Sequence, residues 1–334
     1  MKKILCLALV CFMLLGASLC LTGCKNYDGE INVYNWGQFI SDGMDGTMDV
    51  IAQFEEKYNI KVNYTTYETN EALYNMLKSS NSSYDVVVPS DYMVEKLIAE
   101  GLVQEINFDN IPNYKNIDDN YKNLSFDPDN KYSIPYSWGV VALCYNTEMV
   151  GDVEVTGFSA LWEEELAGNI LMFDNSRDAM AIAMCLTGGN PQNATKEDID
   201  KAYDKLIEQK PLLKKYVMDL VFNEMEGSQA AIAPYYAGDI YTMMQNNEDL
   251  MYCLPEEGSN FFVDSMCIPT SAKNKADAEK FINFLLEAEV AGGQAPDSLR
   301  GMDRAQQGQG GGQRKGGPPA GQEAIKLDHQ APVL

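Results

Sequence analysis

Histidine is almost missing from this 334-residue chain: the single one, His329, lies in a stretch unlike the rest. Imidazole is the commonest neutral-pH base and a frequent metal ligand. A body without it argues against a Ser-His-Asp triad, a Cys-His dyad and a histidine-based zinc site. No Cys-x-x-Cys spacing occurs. Cys6, Cys11, Cys20 and Cys24 crowd the N-terminal segment, and Cys144, Cys185, Cys253 and Cys267 are scattered. That pattern reads as buried free thiols, with disulfides as the alternative, and with no metal site and no cofactor. Arginine is also scarce, Arg177 being the sole one before residue 291. Lysine and arginine together number 25 against 49 acids, a formal net charge of −24. Such a surface argues against nucleic acid and anionic headgroups as partners and favours the accumulation of cations.

What is present is a globular composition, 46% hydrophobic and 22% charged, on a chain long enough for two lobes with separate cores. The first residues read as an address. Lys2 and Lys3 precede an apolar run over 4–21, then Leu21-Thr22-Gly23-Cys24 and a polar stretch. This is a secretory signal pattern. Its ending resembles the bacterial lipobox, which implies diacylation of Cys24, a signal peptide over 1–23 and a tether over 24–29. The alternative is a transmembrane anchor, since the run is nearly long enough to span. Lipidation would hold the mature protein on the outer face of the plasma membrane, in the periplasm if the source has an outer membrane.

Periodicity beyond the tether predicts strand 30–35, helix 48–58, strand 61–67, helix 70–79, strand 84–89 and helix 92–100. This β-α alternation means an α/β lobe with a mainly parallel sheet, whose ligands lie beyond the carboxyl ends of the strands. An apolar stretch over 132–146 reads as strands crossing into a second lobe. There the pattern predicts strands 170–173 and 230–235 and helices 161–166, 176–186, 197–209, 212–220 and 240–245. A strand over 261–268 returns to the first lobe, followed by helix 276–286. The expected organisation is lobe 1 over 30–140, lobe 2 over 141–261 and a return over 262–290. Near Ala291 the composition shifts to glycine, glutamine and arginine without aromatics, so 291–334 is expected to be a disordered tail.

Several stretches, taken in order, resemble the spermidine/putrescine-binding proteins of bacterial polyamine importers. They are Val33-Tyr34-Asn35-Trp36, Asp85-Val86-Val87-Val88-Pro89-Ser90-Asp91-Tyr92, Phe126-Asp127-Pro128, Ser133-Ile134-Pro135-Tyr136-Ser137-Trp138-Gly139, Phe262-Val263-Asp264-Ser265 and Ala272-Lys273-Asn274-Lys275. The resemblance covers about residues 30 to 290. It implies a periplasmic-binding-protein-like fold: two α/β lobes joined by hinge strands, with a ligand cleft between them. It also implies a monomer that delivers putrescine or spermidine to the permease subunits of an ABC transporter. The family normally continues after its last matched helix with a tyrosine-bearing loop and further helices, which the Gly/Gln/Arg tail replaces here.

A polyamine carries ammonium ends and an apolar middle, so its site needs carboxylates at the poles and flat walls between them. Asp264 and Phe262 are two apart on a predicted strand and share a face. The resemblance makes Asp264 an ammonium partner and Phe262 a stacking wall where tryptophan is usual. Without it, Asp264 reads as an exposed acid beside a core phenylalanine. Asp178 matches the family's end-binding acid, usually glutamate in spermidine-preferring members. Asn175 stands where those members carry a second acid, so an acid restored there is expected to favour spermidine. Asp174 reads as a helix cap. Tyr236 and Asp239 match a wall and a carboxylate partner, although Asp239 could instead cap helix 240–245. Trp36, Gln38, Phe39, Ser90 and Tyr92 follow strand ends and match walls and polar contacts. Trp138 and Trp162 read as structural. Two other functions stay open: a two-lobe receptor for another organic cation or a metal chelate, and an enzyme with paired carboxylates.

Overall fold

The computed structural model describes residues 26–37, 39–79 and 83–294. The lipobox with Cys24, Gln38 and the stretch 295–334 with His329 lie outside the described residues.

The chain begins with β1 (Gly29–Trp36), α1 (Val50–Tyr58), β2 (Ile60–Tyr67), α2 (Asn70–Lys78), β3 (Val86–Val87) and α3 (Asp91–Ala99). α1 and α2 start where side chains accept from their first amides. Asp49 accepts from Ala52 N at 2.9 Å and Thr69 from Ala72 N at 3.1 Å. β1 pairs in parallel with β2 on one side and β3 on the other, so their carboxyl ends open at one rim. Two buried aspartates fasten the loops. Asp85 accepts from the amides of Asn32, Lys273 and Asn274, and Asp127 from those of Lys131, Tyr132 and Ser133. The matched stretches around these two residues therefore carry structure.

β4 (Ser133–Asn146) then leaves this lobe. β5 (Ile170–Phe173), α4 (Ser176–Thr187), α5 (Lys196–Gln209), β6 (Leu213–Val217), α6 (Leu220–Glu226), β7 (Ile232–Tyr236), α7 (Ala237–Asn246) and β8 (Leu250–Cys253) follow. β9 (Phe261–Cys267) brings the chain back to α8 (Lys275–Leu285) and α9 (Ala288–Gly293). The strand order is β2-β1-β3-β9-β4-β7-β5-β6, with β8 also on β4. β4 serves both lobes. Its first half pairs antiparallel with β9, from Ser133 opposite Cys267 to Val140 opposite Phe261. Its second half pairs with β7 and β8.

The cores divide the same way. One is drawn from residues between Val141 and Cys253, including Leu143, Phe158, Met172 and Tyr235. The other side of the molecule is built around Ile31, Phe54, Ile134, Met266 and Phe281, with a neighbouring cluster around Leu73, Val87 and Leu97. This is the two-lobe α/β arrangement expected from the sequence. Cys144, Cys253 and Cys267 are buried free thiols and Cys185 is half-buried.

The predicted helix over 212–220 is not formed. Leu213-Lys214-Lys215-Tyr216-Val217 is β6, parallel to β5, and α6 begins only at Leu220. The outer strand of a sheet carries lysines readily, and both Lys214 and Lys215 pair with Glu224 of α6. β8 was not anticipated. The segment 158–166 forms two short 3-10 turns rather than one helix. α9 runs across the composition break at Ala291: Val290 and Ala291 are buried, and Gln294 Nε2 donates to the Tyr136 hydroxyl at 2.6 Å. Small residues that permit close packing look like low complexity in a bare sequence. Among the described residues no helix is long and apolar enough to cross a membrane.

Candidate functional site

A cleft partly open to solvent lies between the lobes. Ten of the residues expected from the sequence line it: Trp36, Phe39, Ser90, Tyr92, Asn175, Asp178, Tyr236, Asp239, Phe262 and Asp264. The eleventh, Gln38, lies outside the described residues.

Asp264 sits on β9 opposite Ser137 of β4 and is bridged through its backbone to Ser90 at the start of α3. It is 4% exposed, and its Oδ1 has no hydrogen-bond partner among the described residues. Burial pushes its carboxyl up to about 7; Asp91 and Asp178 push the same way, and the Ser90 and Ser137 side chains oppose. Ser90 is itself held by Asn70, which donates to its Oγ at 3.0 Å and accepts from its amide.

Asp178 lies in the first turn of α4 and is buried. Its Oδ2 accepts from the Tyr236 hydroxyl and from Asn175 Nδ2, both at 2.9 Å, and Oδ1 accepts from Asn260 Nδ2 at 3.3 Å. Burial raises this carboxyl to about 6 against those bonds. Asn175, not Asp174, is the N-cap of α4: its Oδ1 accepts from Arg177 N and Asp178 N. α4 begins at Ser176, one residue later than capping by Asp174 requires, and Asp174 is left exposed.

Asp239 does not cap a helix either. α7 begins at Ala237, so Asp239 falls inside the first turn. Its carboxyl is raised to about 7 by burial first and by Asp219 second. Asp178 raises Asp264, and both act on Tyr236, while Asp219 raises Asp239 and both act on Tyr235. The cleft acids thus fall into two groups, its two poles.

Aromatic rings form the walls. Trp36 packs 4.5 Å from Tyr67, and its Nε1 has no partner among the described residues. Phe262 and Tyr236 meet edge to face at 5.3 Å. The Phe262 ring lies across Gly139 of β4, where a Cβ would stand 2.5 Å from it. Phe39 rests against Tyr136 at 5.6 Å. Tyr92 donates to Glu71 Oε1 at 3.0 Å, and the Arg177 guanidinium lies 3.7 Å over its ring from the other lobe. Trp138 and Trp162 are structural. Trp138 packs between Tyr121 and Phe261, and Trp162 donates to the Lys205 carbonyl.

Sequence reasoning missed Glu68, Asn70, Asp91, Arg177, Met218, Asp219, Tyr235 and Asn260, all on the cleft wall. Several of them stand just past a strand end, the one signal that could have found them.

The family described as bacterial extracellular solute-binding protein matches residues 49–295. The spermidine/putrescine-binding periplasmic protein of Escherichia coli is 35% identical over 259 residues, covering 77% of this chain and 73% of that one. The putrescine-binding periplasmic protein PotF of the same organism is 28% identical over 280 residues, 78% of this chain and 74% of its own. Among solved structures, a putative spermidine/putrescine ABC transporter protein from Listeria monocytogenes superposes with a TM-score of 0.74 at 36% identity, covering 78% of this chain and 80% of its own. The TpPotD lipoprotein of Treponema pallidum superposes at 0.71 with 27% identity, covering 79% and 82%.

Proposed function

Because this chain belongs to the bacterial extracellular solute-binding protein family, we propose that it captures a linear polyamine, putrescine or spermidine, outside the cytoplasm and delivers it to an ABC importer. The observation that carries this reading is a cleft lined by two groups of acids, Asp178 with Asp264 and Asp239 with Asp219, together with the rings of Trp36, Tyr236 and Phe262. One ammonium would meet the buried carboxylates of Asp178 and Asp264, the other the half-buried Asp239 and exposed Asp219, and the methylenes would lie on flat apolar faces. Charge-assisted hydrogen bonds contribute about 1.5–3 kcal/mol each, and a cation over a ring about 0.5–2 kcal/mol. The relatives' names support a role in transport, so the ligand is released unchanged.

Closure would bring residues 141–261 against 30–140 and 262–290, with β4 and β9 as the flexing strands. The protein would work as a monomer that docks on permease subunits. The Leu21-Thr22-Gly23-Cys24 motif supports lipid attachment at Cys24. Thermal melts with putrescine, spermidine, spermine, cadaverine and unrelated cations test the reading. A bound polyamine at a hundred times its Kd stabilises by about 2.7 kcal/mol, a shift of several degrees. A panel in which unrelated cations shift the melt as much as polyamines would reject it.

A further inference from the structure

Asp219 stands at the N-cap of α6, where an aspartate ordinarily accepts from the first helical amides. It makes no such bond. Its Oδ1 accepts instead from the Tyr235 hydroxyl at 3.2 Å. Its Oδ2 is turned toward Gly37 of the other lobe, where a Cβ would stand 2.7 Å away. A residue suited to capping has its carboxylate aimed across the cleft, and the missing side chain at position 37 leaves room for it.

The two poles differ in what lies beyond them. Tyr235 and Tyr236 are consecutive, with rings 4.9 Å apart, yet their hydroxyls reach different poles, Tyr235 to Asp219 and Tyr236 to Asp178. Beyond Asp178 stand Asn175, whose amide is already committed as a donor to Asp178, and the Arg177 guanidinium over Tyr92. An added ammonium at that end would face a fixed positive charge. At the other end the carboxyls of Asp239, Asp219 and Glu68 gather around Tyr235 and line the cleft. At the Asp178 pole the partnerless Oδ1 of buried Asp264 marks where a ligand donor is wanted.

We propose that Asp219 is a specificity-determining residue: beside Asp239, its carboxylate receives the extra ammonium of a triamine, so the longer ligand extends toward Asp219 and not toward Asn175. This rests on the polyamine reading above. It also reverses the expectation that an acid at 175 would favour spermidine. That acid would place an acceptor where a donor now stands, 2.9 Å from Asp178 Oδ2.

The test is calorimetric titration of the full chain with putrescine and spermidine, with melts confirming that each variant folds. Asp219→Asn should weaken spermidine about tenfold more than putrescine, while Asp219→Glu should keep the parent's ratio. Asp178→Asn should weaken both amines by similar factors, and Asn175→Asp should not raise the preference for spermidine. An unchanged ratio in Asp219→Asn, or a spermidine preference gained by Asn175→Asp, overturns the assignment of the extended end while leaving polyamine binding intact. A parent that binds neither amine overturns the polyamine reading and this inference with it.

Discussion

Replacing Asp264 by asparagine should move binding and stability in opposite directions. The folded chain holds this carboxyl at about 7 because burial disfavours its charge, whereas an unfolded chain releases the proton near 3.9. Between those values the folded state carries a proton the unfolded state has lost, so stability from this group falls as pH rises from about 4 to about 7. Three units at about 1.4 kcal/mol each give roughly 4 kcal/mol of destabilisation, fully developed by about pH 8. Asparagine removes that term. It leaves an amide beside the Ser90 and Ser137 side chains, at a cost of about 1–3 kcal/mol if imperfectly paired. The net gain is about 1–3 kcal/mol at pH 8, a rise in Tm of a few degrees, and little or none at pH 4 to 5. Binding should suffer, because an ammonium would lose its ionised partner. The loss is about 2–5 kcal/mol, a factor of roughly thirty to several thousand in Kd. Melts at pH 5 and pH 8, with polyamine titrations at pH 8, read both effects. A variant that binds like the parent, or that is destabilised equally at both pH values, refutes the reasoning.

The same carboxyls predict that affinity tightens as pH rises. Asp178, Asp239 and Asp264 must shed protons to pair with ammonium groups, so affinity should fall more than about a hundredfold from pH 8 to pH 5. Titration in buffers of different ionisation enthalpy should show proton release near pH 6.5, and a flat profile would contradict it. Gly139→Ala sets a methyl against the Phe262 ring and should weaken every polyamine by about tenfold through the displaced wall; equal affinity in a folded variant would show that the ring is not a contact. Cys24→Ala should release the protein from the membrane fraction, and an unmodified Cys24 on membrane-bound mature protein, seen by mass spectrometry, would sink lipid attachment.

Much of the site was legible because its parts follow strand ends in recognisable strings. Asp264 and Phe262 share a strand face, and Trp36 and Ser90 stand where β1 and β3 open. What escaped was supplied by partnership between distant segments. Asp219 looked like part of a helix because β6, Leu213-Lys214-Lys215-Tyr216-Val217, sets two lysines side by side, a pattern that helices also tolerate. Asn260 and Arg177 earn meaning only from what the other elements set beside them, Asp178 and Tyr92. The capping of α4 went to Asn175 and not Asp174 because α4 starts at Ser176, and a one-residue difference in where a helix starts decides which side chain faces the free amides. Such boundaries are set by packing and not by local propensity.

The way β4 and β9 carry the chain out and back has a consequence for how the molecule is made. The core between Val141 and Cys253 is contiguous in sequence, so it can condense as soon as that stretch has been released. The other core joins Ile31 and Ile134 to Met266 and Phe281, and must wait for the last helices. The inserted lobe shortens that wait, because Val141 N donates to the Asn260 carbonyl at 3.1 Å and so holds its two ends together. With the inserted lobe formed, closing the outer core means joining two short arms rather than the ends of a loop of more than a hundred free residues, which lowers the loop-closure entropy.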